Sequence, residues 1–338
     1  MSASAAGVPP VAAATPAPAR GHPLLRLITQ RVAASLLLLV VVSILIFIGC
    51  QLLPGDAATA ILGRDATPSA LAALRDQLHL NEPAPYRYFQ WISGMLQGKL
   101  GYSVTQQSAI WPLIRGRILN SAILAGFAIV VMIPLSLALG VLTATRAGRL
   151  ADRLISMASL SLIAVPEFVS GTLLALLFGV SLKLLPAVSF VAPGNSPLQT
   201  PLVLILPCLT LLGASVAQTM RMVRAGMVEA LRSEYVAASR LNGFPERQVV
   251  LRFALRNALA PTVQVIALNM QWLVGGIVVT EYVFNYPGLG QELVTAVTAR
   301  DIPLVQAIAL LIAAFYFAVN IVTDIVLILL VPKLRTAP

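Results

Sequence analysis

VAASLLLLVVVSILIFIGCQLLPG, residues 32–55, is the stretch that decides the class of fold. It contains no charged side chain. A membrane-spanning helix needs about 20 consecutive apolar residues, because it must cross about 30 Å of hydrocarbon. The stretch is therefore long enough to span a bilayer. It is too long for a cleavable signal peptide, which would also need a small-residue cleavage site behind it.

Further apolar runs follow along the chain, and only two of them contain an acid, Glu167 or Asp324. These runs are Ile118–Thr145, Leu154–Leu182, Leu202–Met220, Asn257–Thr280 and Ile302–Pro332. Lipid offers the backbone no hydrogen bonds, so each run is predicted to be a helix. The sequence therefore predicts an all-α polytopic membrane protein with six transmembrane helices.

The composition agrees with lipid as the solvent of this chain. Of 338 residues, 58% are hydrophobic and 11% are charged, whereas soluble proteins carry about 25% charged residues. Six spans place both termini on one side, and most of the basic residues fall on that side, which predicts cytoplasmic termini. The net charge of +10 thus reflects topology. Nucleic-acid binding is disfavoured, because the basic residues are scattered over short loops without an aromatic platform.

The loops divide the chain into recognisable parts. Residues 1–22 are rich in alanine and proline and are predicted to be a disordered tail before a membrane domain of residues 23–335. The long outer loop 54–116 is predicted to form a small cap on the membrane surface. Its predicted helices are Ala70–Leu78, which follows an N-cap at Thr67, and Ala84–Leu96. The charged loop 221–256 is predicted to be cytoplasmic.

The segment EYVAASRLNG, residues 234–243, is predicted to be a short amphipathic helix within that cytoplasmic loop. Glu234, Ala237 and Ala238 fall on one face at helical spacing, and the two alanines keep this face thin. Gly243 is predicted to end the helix as a C-terminal cap, and Pro245 can start the next one. Such a helix could lie in a groove of a soluble partner.

The sequence lacks two common motifs, one of zinc proteases and one of nucleotide-binding sites. His22 and His79 lie outside the apolar runs, and no H-E-x-x-H motif occurs, which excludes a zinc protease of that type. No P-loop sequence occurs either, so energy from a nucleotide would have to come from another chain. Cys50 and Cys208 lie in apolar runs and are predicted to be buried thiols rather than a disulfide.

Polar side chains inside the apolar runs are candidates for a translocation pathway. A carboxylate within the bilayer is costly and often marks a cavity or pathway, so Glu167 is either a pathway residue or a structural hydrogen-bond partner. Asp324 is predicted to pair with a basic residue near the cytoplasmic surface. Asn269 and Gln271 either line a pore or join neighbouring helices.

Several motifs in order resemble those of inner-membrane permease subunits of bacterial ATP-binding-cassette importers of the dipeptide, oligopeptide and nickel class. They extend over nearly the whole chain and are LLPGD at 52–56, ALRDQLHLNEP at 73–83, GKLGYS at 98–103, EYVAASRLNG at 234–243, LRNAL at 255–259, EYVFNYPGLG at 281–290 and RDIPLVQ at 300–306.

The resemblance implies the type I ABC importer permease fold and a transport role without catalysis. The helix at 234–243 would be the coupling helix that docks on a cytoplasmic ATPase, through Glu234, Tyr235, Ala237, Ala238, Arg240 and Gly243. ATP and Mg²⁺ would be bound by two partner ATPase subunits, with no cofactor in this chain. The other implied partners are a homologous permease, a periplasmic or lipid-anchored substrate-binding protein and the lipid bilayer.

Glu167 departs from the resemblance, because relatives often carry serine there, and a buried carboxylate could favour a cationic cargo. An alternative function is an ion-coupled secondary transporter that uses Glu167 or Asp324 as a proton relay. The coupling-type helix and the lack of an obvious inverted repeat argue against it. An intramembrane enzyme would need a nucleophile and base, and the sequence offers no such set.

Overall fold

The computed structural model describes residues 23–52, 62, 67–77, 81–192 and 194–330. The predicted tail of residues 1–22 and the C-terminal residues 331–338 lie outside the described residues. Parts of the predicted outer loop 54–116 lie outside them as well.

Helices make up nearly all of the regular structure in these ranges. In chain order they are α1 (Pro23–Leu52), α2 (Pro68–Gln77), α3 (Ala84–Leu96), α4 (Ile110–Thr145), α5 (Leu150–Ala164), α6 (Glu167–Leu174), α7 (Leu202–Leu231), α8 (Glu234–Leu241), α9 (Leu255–Val283), α10 (Leu289–Thr298) and α11 (Ile302–Leu330). A π-helical stretch, Ala175–Ser181, extends α6. Two short antiparallel strands, β1 (Tyr102–Ser103) and β2 (Ser108–Ala109), precede α4.

The protein is an all-α polytopic membrane protein, as predicted. Within the described ranges, 5 helices are long and apolar enough to cross a membrane, and the count rises to 6 if α5 and α6 form one bent span. The 5 segments are Ile28–Leu52, Ile110–Thr145, Leu202–Leu231, Thr262–Val283 and Ile302–Val326.

The prediction of one continuous helix over Leu154–Leu182 is wrong. The chain bends by 109° between α5 and α6. Val165 has an extended backbone, with φ −86° and ψ 126°, because the following proline disfavours the helical conformation at that position. Glu167 is consequently the first residue of a new helix rather than the middle of a straight one.

The core forms where α7 packs between α4 and α9. Buried Leu124 of α4, Leu211 of α7 and Leu273 of α9 belong to one apolar cluster. Close packing of α4 on α7 depends on Gly140, because a Cβ atom there would overlap the side chain of Val223. The core helices are thus held at fixed positions relative to one another.

Helix α3 confirms the predicted Ala84–Leu96 and packs against α1. The ring of Tyr88 lies 5.5 Å from that of Phe47, and Trp91 stacks on Phe47 at 6.1 Å. The hydroxyls of Tyr88 and Ser43 are hydrogen-bonded at 2.8 Å. These contacts attach part of the predicted cap to the first span.

Helix α2 begins at Pro68, the first helical position predicted after the N-cap Thr67, and runs through the predicted Ala70 to Gln77, while Leu78 lies outside the described residues. The hydroxyl of Thr67 accepts a hydrogen bond from the backbone N–H of Ala70 at 3.4 Å, in agreement with the predicted N-cap.

Two further predictions about single residues are confirmed. Asp324 of α11 pairs with Arg31 of α1, with 3.3 Å between Oδ2 and Nη1. Cys50 and Cys208 are both buried free thiols.

The segment 280–293 is more regular than predicted. Helix α9 continues to Val283 and α10 begins at Leu289, so the irregular backbone is confined to residues 284–288. Phe284 and Tyr286 within it are fully buried.

Candidate functional site

Helix α8 is fixed to the rest of the molecule through one side only. Val236 is fully buried and belongs to an apolar cluster with Val223 and Met227 of α7 and Ala254. Ser239 is buried one turn later and donates a hydrogen bond to the carbonyl of Tyr235 at 2.8 Å. This inner stripe of α8 holds the helix in place.

The other side of α8 is open. The side chains of Glu234, Tyr235, Ala237 and Ala238 are all exposed. Leu241 is 89% exposed, although it is a large apolar residue at the end of the helix. We call these five residues the exposed α8 face. The two small alanines in its middle leave room for another surface to come close to the helix backbone.

The end of α8 is built as predicted from Gly243. This glycine has φ +78°, a conformation that side chains other than glycine rarely adopt. The N–H of Phe244 donates to the carbonyl of Ser239 at 3.3 Å, and the N–H of Gly243 donates to that of Arg240 at 3.0 Å. These two bonds form a Schellman motif, which closes the helix C-terminus.

Arg240 faces the following turn rather than the middle of the exposed α8 face. Its guanidinium forms two hydrogen bonds to the carboxylate of Glu246, at 2.8 and 3.1 Å. These hydrogen bonds lower the pKa of Glu246. Both side chains are substantially exposed, so the pair contributes little to stability and mainly orients the turn.

The chain runs from α8 directly into a membrane span. A helical turn, Glu246–Gln248, is followed by a π-helical stretch, Val249–Ala254, and then by α9. Helical structure is continuous from Glu246 to Val283, as predicted for the helix that Pro245 starts, and residues 242–245 separate it from α8. A displacement of α8 would act on α9 through this short connection.

A second link joins the neighbouring helix ends. The guanidinium of Arg224, in α7, binds the carboxylate of Asp152, in α5, through two hydrogen bonds of 2.6 and 2.7 Å. The same carboxylate accepts the N–H of Gly148 at 2.9 Å. This ion pair fixes the turn between α4 and α5 against α7.

The three predicted pathway residues lie around one cavity of about 990 Å³ between α1, α9, α11 and the start of α6. Glu167, Asn269 and Gln271 all line it, together with Trp272 and Gln218. Residues from six helices, α1, α6, α7, α9, α10 and α11, are thereby brought together, which their positions in the sequence do not show.

Each of these three polar side chains also bonds to a neighbouring helix. Glu167 accepts a hydrogen bond from the hydroxyl of Thr280 at 2.7 Å. The amide of Asn269 donates to Thr219 of α7 at 2.8 Å, and that of Gln271 donates to Asn320 of α11 at 2.7 Å. The bonds of Asn269 and Gln271 agree with the predicted joining of helices. Both residues nevertheless remain at the cavity wall.

Glu281 is a fully buried carboxylate to which the sequence analysis gave no role. It accepts hydrogen bonds from Ser121 of α4 at 2.5 Å and from the N–H of Gly290 at 2.7 Å. A Cβ atom at Gly288 would overlap the carboxylate, and one at Gly290 would overlap Val278. The YPGLG glycines are therefore needed because the turn closes tightly over Glu281.

Asp301 is a second buried carboxylate that the sequence analysis left without a role. Its Oδ2 accepts hydrogen bonds from the hydroxyl of Ser103 at 2.5 Å and from the N–H and hydroxyl of Thr105 at 3.0 and 2.7 Å. Its Oδ1 accepts the N–H of Leu304 at the start of α11. Burial raises the pKa of Asp301, but these hydrogen bonds outweigh it and the pKa lies below its ordinary value.

Two known families match consecutive parts of the chain. Residues 24–125 match the family described as "Binding-prot-dependent transport system membrane comp, N-term". Residues 136–336 match the family described as "Binding-protein-dependent transport system inner membrane component". The second match covers the exposed α8 face and every residue named above at the cavity.

Curated relatives match over nearly their whole length. The chain is 32% identical over 308 residues to the "Probable peptide ABC transporter permease protein y4tP" of Sinorhizobium fredii, which covers 91% of this chain and 98% of the relative. It is 35% identical over 313 residues to the "Glutathione transport system permease protein GsiC" of Escherichia coli O6:H1, covering 92% and 99%. The GsiC protein of Salmonella paratyphi A is 34% identical over 313 residues, with the same coverage.

Proposed function

The chain belongs to the binding-protein-dependent transport system inner membrane components, and from that premise we propose how it works within an importer. It is a multi-pass inner-membrane permease of an ABC importer of the peptide class. We propose that it forms half of the translocation pathway, that a homologous permease forms the other half, and that the cargo is a peptide or a similar small solute.

The exposed α8 face is the proposed docking surface for a cytoplasmic ATPase. Leu241 and Tyr235 are exposed on a helix of a cytoplasmic loop, where no lipid can cover them. Exposed apolar side chains of this kind mark a protein interface. The small Ala237 and Ala238 allow that partner to approach closely. The buried Val236 and the short connection to α9 would carry its motion to the spans.

This placement puts both termini of the chain in the cytoplasm, in line with the distribution of basic residues. ATP and Mg²⁺ belong to two partner ATPase subunits, and a periplasmic or lipid-anchored binding protein delivers the cargo from outside. The bidentate contact between Asp152 and Arg224 would keep the α4–α5 turn and α7 together while α8 moves.

Ion-coupled secondary transport is not favoured. Membership of a binding-protein-dependent family points to an ATP-driven machine. Asp324, one of the two acids considered for a proton relay, is paired with Arg31, which suits a structural role.

A bulky substitution on the exposed α8 face tests the proposal. Ala238→Trp should lower ATP-driven uptake about tenfold or more, because a large side chain in the middle of a protein interface removes close packing. Uptake is measured in proteoliposomes that contain both permeases, both ATPases and the loaded binding protein.

The matched control is Ala147→Trp, the same change at an exposed alanine in the turn between α4 and α5. Both variants should insert and assemble normally, as judged by gel filtration of the purified complex. Full uptake by Ala238→Trp, or an equal loss in Ala147→Trp, would refute docking through this face.

A further inference from the structure

Glu167 is the charged residue of the cavity of about 990 Å³. Among the described residues that line this cavity, none is a lysine or an arginine, and the remaining polar side chains are neutral amides, a tyrosine and a tryptophan. The charge of the Glu167 carboxylate is therefore not balanced by a basic side chain of the described part of the chain.

The carboxylate of Glu167 is held against the neighbouring helix α9 by two contacts. Its Oε1 accepts the hydroxyl of Thr280 at 2.7 Å. One turn earlier on the same helix, Gly276 leaves the space that the carboxylate fills, because a Cβ atom there would lie 2.6 Å from Oε2. Within the described ranges Oε2 accepts no hydrogen bond from another side chain or from the backbone. One oxygen is thus fixed and the other is available.

The position of Glu167 in the fold is a helix N-terminus beside the cavity. Glu167 is the first residue of α6, and the positive end of a helix dipole stabilises a carboxylate at its N-terminus. The break at Val165–Pro166 is what places this helix end beside the cavity rather than inside a continuous span. A purely structural hydrogen bond to Thr280 would not require an ionised group, since a glutamine could make it equally well.

We propose that Glu167 binds a cationic ammonium group of the cargo during its passage through the cavity. The fixed Oε1 orients the carboxylate, and Oε2 accepts an N–H from the ammonium. The neutral amides of Gln218, Asn269 and Gln271 at the same cavity offer hydrogen bonds to the rest of a peptide. This inference rests on the proposed function, because it needs cargo to cross this cavity.

Two substitutions at Glu167 separate charge from structure. Glu167→Gln keeps the size and the hydrogen bond to Thr280 but removes the charge, whereas Glu167→Asp keeps the charge and shortens the side chain. If Glu167 binds an ammonium group, the uptake rate of Glu167→Gln should be about tenfold lower than that of the wild type, and Glu167→Asp should retain most of the wild-type rate. A structural role predicts the reverse order.

The experiment uses the assembled importer in proteoliposomes, with binding protein saturated by Ala-Lys-Ala or by Ala-Gln-Ala, and uptake is divided by binding-protein occupancy. If the ammonium of a lysine side chain is bound, Glu167→Gln lowers uptake of the lysine peptide alone. If the α-amino group is bound, uptake of both peptides falls, while Glu167→Asp remains active. The control is Asp324→Asn, which changes an intramembrane carboxylate that does not line the cavity.

Unchanged uptake in Glu167→Gln, or a greater loss in Glu167→Asp than in Glu167→Gln, would overturn the inference while the proposed function stands. A wild-type complex that moves neither peptide in an ATP-dependent way would count against the proposed function itself. A protonophore is added in a parallel run. If it abolishes wild-type uptake, the transport is driven by a proton gradient, which contradicts the proposed ATP-driven function.

Discussion

At the residue scale, the molecule places buried carboxylates where each can accept several hydrogen bonds. Asp301 joins the segment of Ser103 and Thr105 to the start of α11, and Glu281 holds the turn before α10. A buried polar group is tolerated only when it is well hydrogen-bonded, and the hydrogen bonds of both acids hold the neighbouring loop backbone in place. Glu167 differs from them because it keeps one oxygen unused.

Replacing Asp301 should destabilise the protein. Asp301→Ala removes the acceptor for Ser103, Thr105 and Leu304 and should cost about 2–3 kcal/mol, because charge-assisted hydrogen bonds and an N-terminal helix cap are lost together. The measurement is thermal unfolding of the purified protein in detergent, compared with Asp301→Asn, which keeps an oxygen at the cap.

The lowered pKa of Asp301 gives this contribution a pH dependence. A carboxylate whose pKa is depressed in the folded state stabilises the fold above its unfolded pKa, and the contribution is lost as the pH falls below about 4. The wild type should therefore lose stability in that range more steeply than Asp301→Asn. Parallel curves for the two proteins would contradict this role of Asp301.

The limits of sequence reasoning are clear from particular residues. The cap at Gly243 and helix α3 could be predicted, because glycine preferences and hydrophobic periodicity are local signals. The bonds from Asp301 to Ser103 and Thr105 join residues almost 200 positions apart, so no local pattern could reveal them. The motifs GKLGYS and RDIPLVQ contain both ends of that contact, but only the fold brings them together.

At the element scale, the functional arrangement depends on how helix ends are joined. Helix α8 is attached through Val236 and is joined to α9 by the short segment 242–254, while the ion pair of Asp152 and Arg224 joins α5 to α7. The bend before α6 could not be predicted from hydropathy, because Leu154–Leu182 has the composition of one span. Pro166 favours a break, but the angle of 109° is set by packing against α7 and α9.

The ion pair between α5 and α7 can be tested by a double-mutant cycle. Asp152→Asn alone should destabilise the protein by about 1–3 kcal/mol, because it leaves a partly buried arginine without its charge partner. Arg224→Gln alone should have a similar effect, and the double variant should lose less than the sum. Additive losses in detergent unfolding would show that the two side chains are not coupled.

At the scale of the whole molecule, the protein combines an apolar outer surface with a few polar internal sites. Large side chains such as Leu37, Val130 and Phe168 are more than half exposed on their helices, as expected where lipid or a second permease covers them. The exposed α8 face is the contrasting case, because it lies on a charged loop. Family membership shows a transport subunit of the inner membrane, and the exposed α8 face is the surface on which the proposed ATPase contact rests.

Photo-crosslinking tests this account most directly. p-Benzoylphenylalanine replaces Leu241, a large exposed residue of the exposed α8 face, in the assembled importer, and Ala147 as the control on the neighbouring turn. Irradiation should give an adduct of this chain with the ATPase subunit from position 241, and much less from position 147. If position 241 gives no ATPase adduct in a complex that still transports, α8 does not dock on the ATPase and the proposed coupling is wrong.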